Sequence, residues 1–195
     1  MTNKKNNEPE TNDTKRETWD DYFYKIAKQI STRSRDDSKV GTVLVNKENI
    51  ILSTGYNGLP RHVSDDSSRI EGDEEKLKWT VHAEANAICN AARVGVSTKD
   101  STAYVTKFPC ARCAGELVQA GVIRLFTLGK MWKNDPSDDD GRRSWTILSE
   151  AGIAVYAPNV LMIDAKDCKI HLQEIADSAN DNDEKVKTKK SKKAG

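Results

Sequence analysis

The chain has 195 residues, a formal net charge of +1, 36% hydrophobic and 31% charged residues, the profile of one domain with polar flanks. No run approaches the ~20 apolar residues of a membrane span, and residues 1–17 have no apolar stretch of the kind that marks a secretory signal. Four cysteines are too few for a disulfide-built scaffold of this length, so the reading is an intracellular, cytoplasmic chain with reduced thiols.

Residues 1–17 contain no Val, Ile, Leu, Phe, Trp, Tyr or Cys; nothing there offsets ordering entropy, and a disordered leader is expected. Trp19, Tyr22, Phe23, Ile26, Ala27 and Ile30 then recur at helical spacing and predict a helix over about 19–32. Val40–Val45 and Ile50–Thr54 are β-branched runs around the polar Asn46–Asn49, a hairpin pattern. Residues 58–79 are polar and loop-like. A helix follows over about 82–94 with Ala85, Ile88, Cys89 and Ala92 on one face and Gly95 as its stop. Ala103–Thr106 reads as a strand, Cys110 to Gly121 as a helix, Val122–Leu128 as a strand, 142–151 as a helix and Ile153–Tyr156 as a strand. The order α-β-β-α-β-α-β-α-β implies an α/β chain with a mixed five-stranded sheet and helices on both faces.

Residues 159–176 add an apolar cluster, Val160 to Ile163, and a further helical pattern with Leu172 and Ile175; this extension packs on the core or meets a partner. Residues 177–195 hold six lysines and a single valine and read as a disordered tail. With both flanks set aside the core carries −1, which argues against nucleic acid as a partner.

The chemistry-bearing residues are His82-Ala83-Glu84 and Pro109-Cys110-Ala111-Arg112-Cys113. Two thiols two residues apart can reach one metal ion, and zinc takes sulfur and imidazole ligands in a tetrahedron. Both segments fall at helix starts, where backbone NH groups and the dipole favour thiolates. His82, Cys110 and Cys113 make three ligands, leaving a free position for a water that zinc acidifies. Glu84 is placed to take that water's proton and return it to a leaving amine. The Cys-x-x-Cys alone is shared with structural zinc sites and redox motifs; its combination with His-x-Glu is the pattern of zinc nucleobase deaminases. A purely structural zinc needs a fourth ligand, for which His62, Cys89 and His171 are candidates; of these, Cys89 reads as a buried apolar residue.

Over roughly residues 19–157 the chain resembles the deoxycytidylate (dCMP) deaminase family of the cytidine deaminase-like fold. The resemblance is carried by Arg33-Ser34-Arg35-Asp36, Gly55-Tyr56-Asn57-Gly58 with Pro60, His82-Ala83-Glu84-Ala85-Asn86-Ala87-Ile88, Phe108-Pro109-Cys110 with Cys113-Ala114, and Gln119-Ala120-Gly121. It implies a three-layer α/β/α deaminase domain over 18–158, with Zn2+ as cofactor and dCMP as small-molecule substrate, converted to dUMP for thymidylate synthesis. It implies that Glu84 is catalytic and that the backbone near Ala83 and Cys110, with Phe108 and Pro109, contacts the base. It further implies that Asn57 contacts the sugar and that Arg33, with Ser34, meets the 5′-phosphate, a role suited to the planar guanidinium. It also implies a homo-oligomer, a hexamer in many members, with dCTP plus Mg2+ and dTTP as effectors near residues 56–79.

Two departures bear on the phosphate end. The segment Asp36-Asp37-Ser38-Lys39 lacks the usual proline, and Trp132 stands nearest to a phosphate-holding tyrosine. Asp135–Asp140 adds four carboxylates near the expected mouth, with Arg142 and Arg143 to offset them. The alternative readings are a zinc deaminase of another cytosine nucleotide or of a nucleic-acid base, and a non-catalytic zinc module.

Overall fold

The computed structural model describes residues 16–64, 66–127, 139–157 and 160–163. Most of the leader, Asp65, Trp132, Asp135 and the lysine-rich tail lie outside them.

Helix α1 (Trp19–Ser31) begins at Thr18, whose side chain accepts from the Asp21 amide, with Asp20 and Asp21 in the first turn. Its buried stripe is Phe23, Tyr24 and Ala27. Trp19 and Tyr22 remain exposed, so the stripe is narrower than the spacing suggests; the two rings pack on Phe23 from outside.

Strands β1 (Gly41–Val45) and β2 (Ile51–Tyr56) form the antiparallel hairpin. β1 also pairs antiparallel with β3 (Ser101–Val105). β3, β4 (Val122–Thr127) and β5 (Ala154–Ala157) run parallel, which the intervening helices require as crossovers. A sixth strand, β6 (Val160–Ile163), extends the five expected ones, so the sheet order is β2-β1-β3-β4-β5-β6. The apolar cluster of the extension thus adds to the sheet edge beyond β5.

Alternate strand residues serve two cores, as the period of two demands. Leu44, Ala103, Val105 and Leu125 pack with residues of α3 (Ala83–Val94), α4 (Ala111–Gln119) and α5 (Asp139–Glu150). Val43, Val45, Tyr104 and Phe126 face α1. The result is three layers. Leu44, Leu117, Leu125 and Leu148 are fully enclosed, and truncation of any to alanine costs about 2–5 kcal/mol.

Two local features depart from the sequence pattern. Segment 58–79 contains a seven-residue helix, α2 (Asp73–Trp79), too short to show an apolar period. Trp79 Nε1 donates to Glu75 Oε1 at 2.7 Å, and the Arg69 guanidinium lies over the Trp79 ring at 4.6 Å. The second is the phase of α3, whose buried face is Ala83, Glu84, Ala87 and Ala91, while Cys89 is exposed. A polar residue, Glu84, occupies the inward position that an apolar count overlooks. Gly95 ends this helix with a left-handed φ of +74°. Among the described residues no helix is long and apolar enough to cross a membrane.

Candidate active site and metal centre

The site lies where β3 ends and α3 and α4 begin. His82 is the N-cap residue of α3, in extended backbone, and its ring makes no capping hydrogen bond. Its place is fixed by an isolated antiparallel bridge one residue earlier: Val81 N donates to Gly58 O at 2.8 Å and Gly58 N to Val81 O at 3.1 Å. The bridge brings the Asn57-Gly58 loop beside the histidine. Cys110 is the N-cap of α4, and the Cys113 amide donates to its sulfur at 3.5 Å. Helix α5 steadies this turn: Ser144 Oγ donates to the Pro109 carbonyl at 2.7 Å, and the Phe108 ring packs 6.4 Å from Trp145.

The two N-caps converge. Nδ1 of His82 lies 3.5 Å from Cys110 Sγ and 3.3 Å from Cys113 Sγ, and the three ligand atoms all lie within 4.8 Å of one another. Zinc–sulfur and zinc–nitrogen bonds in a tetrahedron put such atoms about 3.6 Å apart, so this donor set fits zinc in chemistry and in spacing. Among the described residues no fourth His, Cys, Asp or Glu joins the group; His62 and Cys89 stand elsewhere, and His171 lies outside the described residues. Three protein ligands are the pattern of a catalytic zinc site and four that of a structural one.

Charge within the cluster is shared. The hydrogen bond from Cys113, aided by His82, pulls the Cys110 thiol down to about 4, and the same bond holds the Cys113 thiol well above its ordinary value. Contact with Cys110 raises the His82 imidazole. The cluster thus holds a thiolate beside protons that a dication displaces. Glu84, in the first turn of α3, is buried, and desolvation pushes its carboxyl up to about 7. A carboxyl in that range both takes and gives protons near neutrality.

His82, Ala83, Glu84, Asn57, Phe108 and Cys110 all line one cavity of about 350 Å³. Arg33 and Ser34 instead line a neighbouring cavity of about 650 Å³, with Arg35 and Lys39. Asn57, Asp36 and Thr80 form the wall between the two. The Asn57 amide is engaged on both sides: its Oδ1 accepts from Val40 N at 2.8 Å, and its Nδ2 donates to Ser38 O at 3.0 Å. Ser34 is buried and its hydroxyl accepts from the Asp36 amide at 3.2 Å. Trp132 lies outside the described residues. Of the acidic run, Asp139 pairs with Arg142 and Arg143, and the Asp140 carboxylate sits 3.3 and 3.4 Å from the Ala111 amide at the start of α4.

Residues 17–129 match the family described as the cytidine and deoxycytidylate deaminase zinc-binding region. The chain belongs to that family. The human deoxycytidylate deaminase is 33% identical to it over 141 residues, 69% of this chain and 76% of the human one. The probable deoxycytidylate deaminases of Drosophila melanogaster and Caenorhabditis elegans are 36% and 44% identical; the alignments cover 61% and 54% of this chain. It spans 63% of the fly protein's length and 55% of the nematode's. Among solved structures, the dCMP deaminase of cyanophage S-TIM5, in complex with dCMP and dUMP, superposes with a TM-score of 0.58 at 24% identity, covering 70% of this chain and 94% of the phage chain. That likeness supports the three-layer fold.

Sequence reasoning gave no site role to Lys76 and Lys107, two charged residues of the cavity lining. Lys76 was hidden because α2 went unread. The only sequence signal for that helix is Gly72 followed by acids and then by lysines, the order a helix dipole favours.

Proposed function

We propose that this chain catalyses the hydrolytic deamination of dCMP to dUMP and ammonia. The observation that carries the reading is that Glu84 is buried and opens onto the cavity that His82 and Cys110 line. The name deoxycytidylate deaminase on the human relative supports the substrate. A volume of about 350 Å³ suits one small nucleotide.

His82, Cys110 and Cys113 would hold the zinc. When bound, zinc supplies a water whose pKa is lowered towards neutrality. Glu84 takes one proton as water adds at C4 of the pyrimidine, and passes it to N3. It then takes the second proton from the C4 hydroxyl and carries it to the amino nitrogen; the C4–N bond breaks, ammonia leaves and the C4 oxygen becomes the carbonyl of dUMP. Burial keeps the Glu84 carboxyl in the range where both transfers are efficient. Asn57, clamped between Ser38 and Val40, presents its edge to the sugar. Ala83 and Phe108 flank the base.

The reading extends to a cytoplasmic homo-oligomer whose effectors are dCTP with Mg2+ and dTTP. The cavity of about 650 Å³ beside the Gly58 loop, with Arg33, Arg35 and Lys39 in its lining, supports a nucleotide there. Sedimentation with and without dCTP and dTTP tests that part.

The activity is tested on zinc-loaded protein with dCMP, CMP, dCTP, deoxycytidine and a cytosine-containing oligonucleotide. Turnover of dCMP well above the others is expected. Activity confined to another member of that panel would replace dCMP as substrate.

A further inference from the structure

We propose, resting on the reading of His82, Cys110 and Cys113 as the zinc ligands, that Glu116 is a positioning residue: its carboxylate accepts from the Nε2–H of His82 and so holds the ligand ring in place. Glu116 belongs to none of the motifs that carry the family resemblance.

Glu116 lies one turn beyond Cys113 on α4, so the two side chains share a face of that helix. With His82 they line a second, smaller cavity of about 110 Å³, whose other walls include Thr80 and Arg112. His82 stands between this cavity and the catalytic one. It lines both, whereas Glu84, Asn57 and Phe108 line the first but not the second, and Cys113 and Glu116 line the second but not the first.

The two oxygens of the Glu116 carboxylate are treated differently. Oε1 accepts from Arg112 Nε at 3.0 Å, and the Arg112 side chain is exposed. Oε2 is buried and has no hydrogen-bond partner among the described residues. The pair with Arg112, four residues back on the helix, accounts for Oε1 alone. An ionised oxygen withdrawn from water needs a donor. Few side chains that line the small cavity can supply one. The Thr80 hydroxyl donates to Lys76 O at 2.8 Å, and Arg112 serves Oε1. The Cys113 thiol is a metal ligand and gives up its proton when the metal binds. That leaves the ring N–H of His82.

The ring tautomer points the same way. Nδ1 of His82 faces both sulfurs, at 3.5 and 3.3 Å. A neutral imidazole that ligates through Nδ1 carries its proton on Nε2. A ligating histidine gives that N–H to a carboxylate, a carbonyl or a water, which fixes the ring and makes the ligand nitrogen more basic. The small cavity leaves room for the Glu116 carboxylate to turn towards the ring, or for one water between the two. The negative charge then supports the metal ligands from outside the substrate's cavity.

The test measures zinc affinity of the full chain by competition with a chelator. No substrate is needed, so the outcome is independent of the choice of dCMP. The visible spectrum of the cobalt-loaded protein reads the ligand geometry. Glu116→Leu removes the acceptor and is expected to weaken zinc binding about 10- to 100-fold and to shift the cobalt bands. Glu116→Gln keeps a neutral acceptor and is expected to lose less than about tenfold. Arg112→Met is expected to change zinc affinity less than about threefold, as an exposed partner should. An equally large loss in Arg112→Met would trace the effect to the surface pair and overturn the proposal. Should Glu116→Leu fail to fold, the unaltered protein still decides. With three histidines in the chain, the His82 Nε2 proton of the zinc-loaded, nitrogen-15-labelled protein is assignable by NMR. It is expected to exchange slowly and to give a resolved signal at neutral pH; loss of that signal to fast exchange would overturn the proposal. Unaltered protein that binds no zinc would overturn the metal centre and this proposal with it. Tight zinc binding that Glu116→Leu leaves unchanged would overturn this proposal alone.

Discussion

A β-carbon on Gly55 would overlap the carbonyl oxygen of Ala83. That close approach lets the first turn of α3, which bears His82 and Glu84, lie directly on β2. Three bonds fasten the same face: Ser53 Oγ to Ala87 O at 2.7 Å, Asn86 Nδ2 to Tyr56 O at 2.8 Å, and Asn90 Nδ2 to Thr54 O at 2.8 Å. Gly55→Ala must push the helix outward. The expected cost is about 1–3 kcal/mol of stability, together with weaker zinc retention because His82 moves away from the two cysteines. Urea unfolding and metal content after dialysis measure both. Unaltered stability and full zinc content would show that the contact relaxes elsewhere.

Glu84→Gln preserves shape and burial and removes the proton carrier. The expected fall in kcat is about 10²- to 10⁴-fold, with zinc content unchanged and stability no lower, because a buried carboxyl has been replaced by a neutral amide. Steady-state turnover of dCMP and metal analysis on the same sample separate the two. Near-normal turnover would exclude Glu84 as the proton shuttle.

Removal of the metal is expected to abolish turnover and to lower the melting temperature. A ligand present at about a thousand times its dissociation constant stabilises a fold by about 4 kcal/mol. Dialysis against a chelator, then calorimetry with and without added zinc, gives the shift. Cys113→Ala should lose the response to zinc and should not regain activity. A melting temperature indifferent to zinc in the unaltered protein would argue against the His82, Cys110 and Cys113 cluster as its site.

Much of this site is legible in the sequence, for a physical reason. A zinc centre of this kind is built from two short segments whose spacing is dictated by ligand reach, so His82-Ala83-Glu84 and Cys110 to Cys113 carry their geometry in their order. The strands were legible because Val43, Leu44 and Val45 sit in a sheet covered on both faces, and such strands read as apolar runs. The phosphate end was not legible in the same way. Whether Arg33 or Lys76 lines the catalytic cavity depends on which side of Asn57 each side chain falls, and no local pattern encodes that. Helix α2 is held by Trp79–Glu75 and Arg69–Trp79 contacts rather than by an apolar stripe, so periodicity gave no warning of it. The inward face of α3 was misjudged by one position because a functional carboxyl, Glu84, took a place that hydrophobicity would assign to an aliphatic residue.

Asn57→Ala tests the clamp at the cavity wall. The change leaves the Val40 amide and the Ser38 carbonyl without the side-chain partners they now have. Both bonds are part-buried, and each lost costs about 0.5–1.5 kcal/mol. Lower stability and a raised KM for dCMP are both expected, since the 38–40 segment frames the cavity. Asn57→Asp, which keeps the acceptor for Val40 and loses the donor to Ser38, should fall between. Wild-type KM in the alanine variant would remove Asn57 from substrate positioning and leave it a structural role alone.

Alkaline stability should report on Tyr104. Its hydroxyl donates to Asp20 Oδ1 at 2.7 Å, and Asp20 Oδ2 accepts from Arg124 at 2.9 Å, joining β3 and β4 to the start of α1. Burial, and then the bond to Asp20, hold the phenol well above its ordinary value of 10.0. A raised folded-state value means that the stabilisation is complete below the unfolded phenol's pKa. It is lost as pH climbs from about 10 towards the folded value, at up to about 1.4 kcal/mol per pH unit, because only the unfolded chain releases the proton. Tyr104→Phe deletes that loss. At pH 8 the variant should be less stable by about 1 kcal/mol for the missing hydrogen bond, and the gap should close or reverse by pH 11.5. Urea unfolding of both proteins at pH 8, 10 and 11.5 measures the difference. A gap that stays constant across that range would mean that Tyr104 ionises alike in the folded and unfolded chains, and the Asp20 bond would then be a neutral tether only.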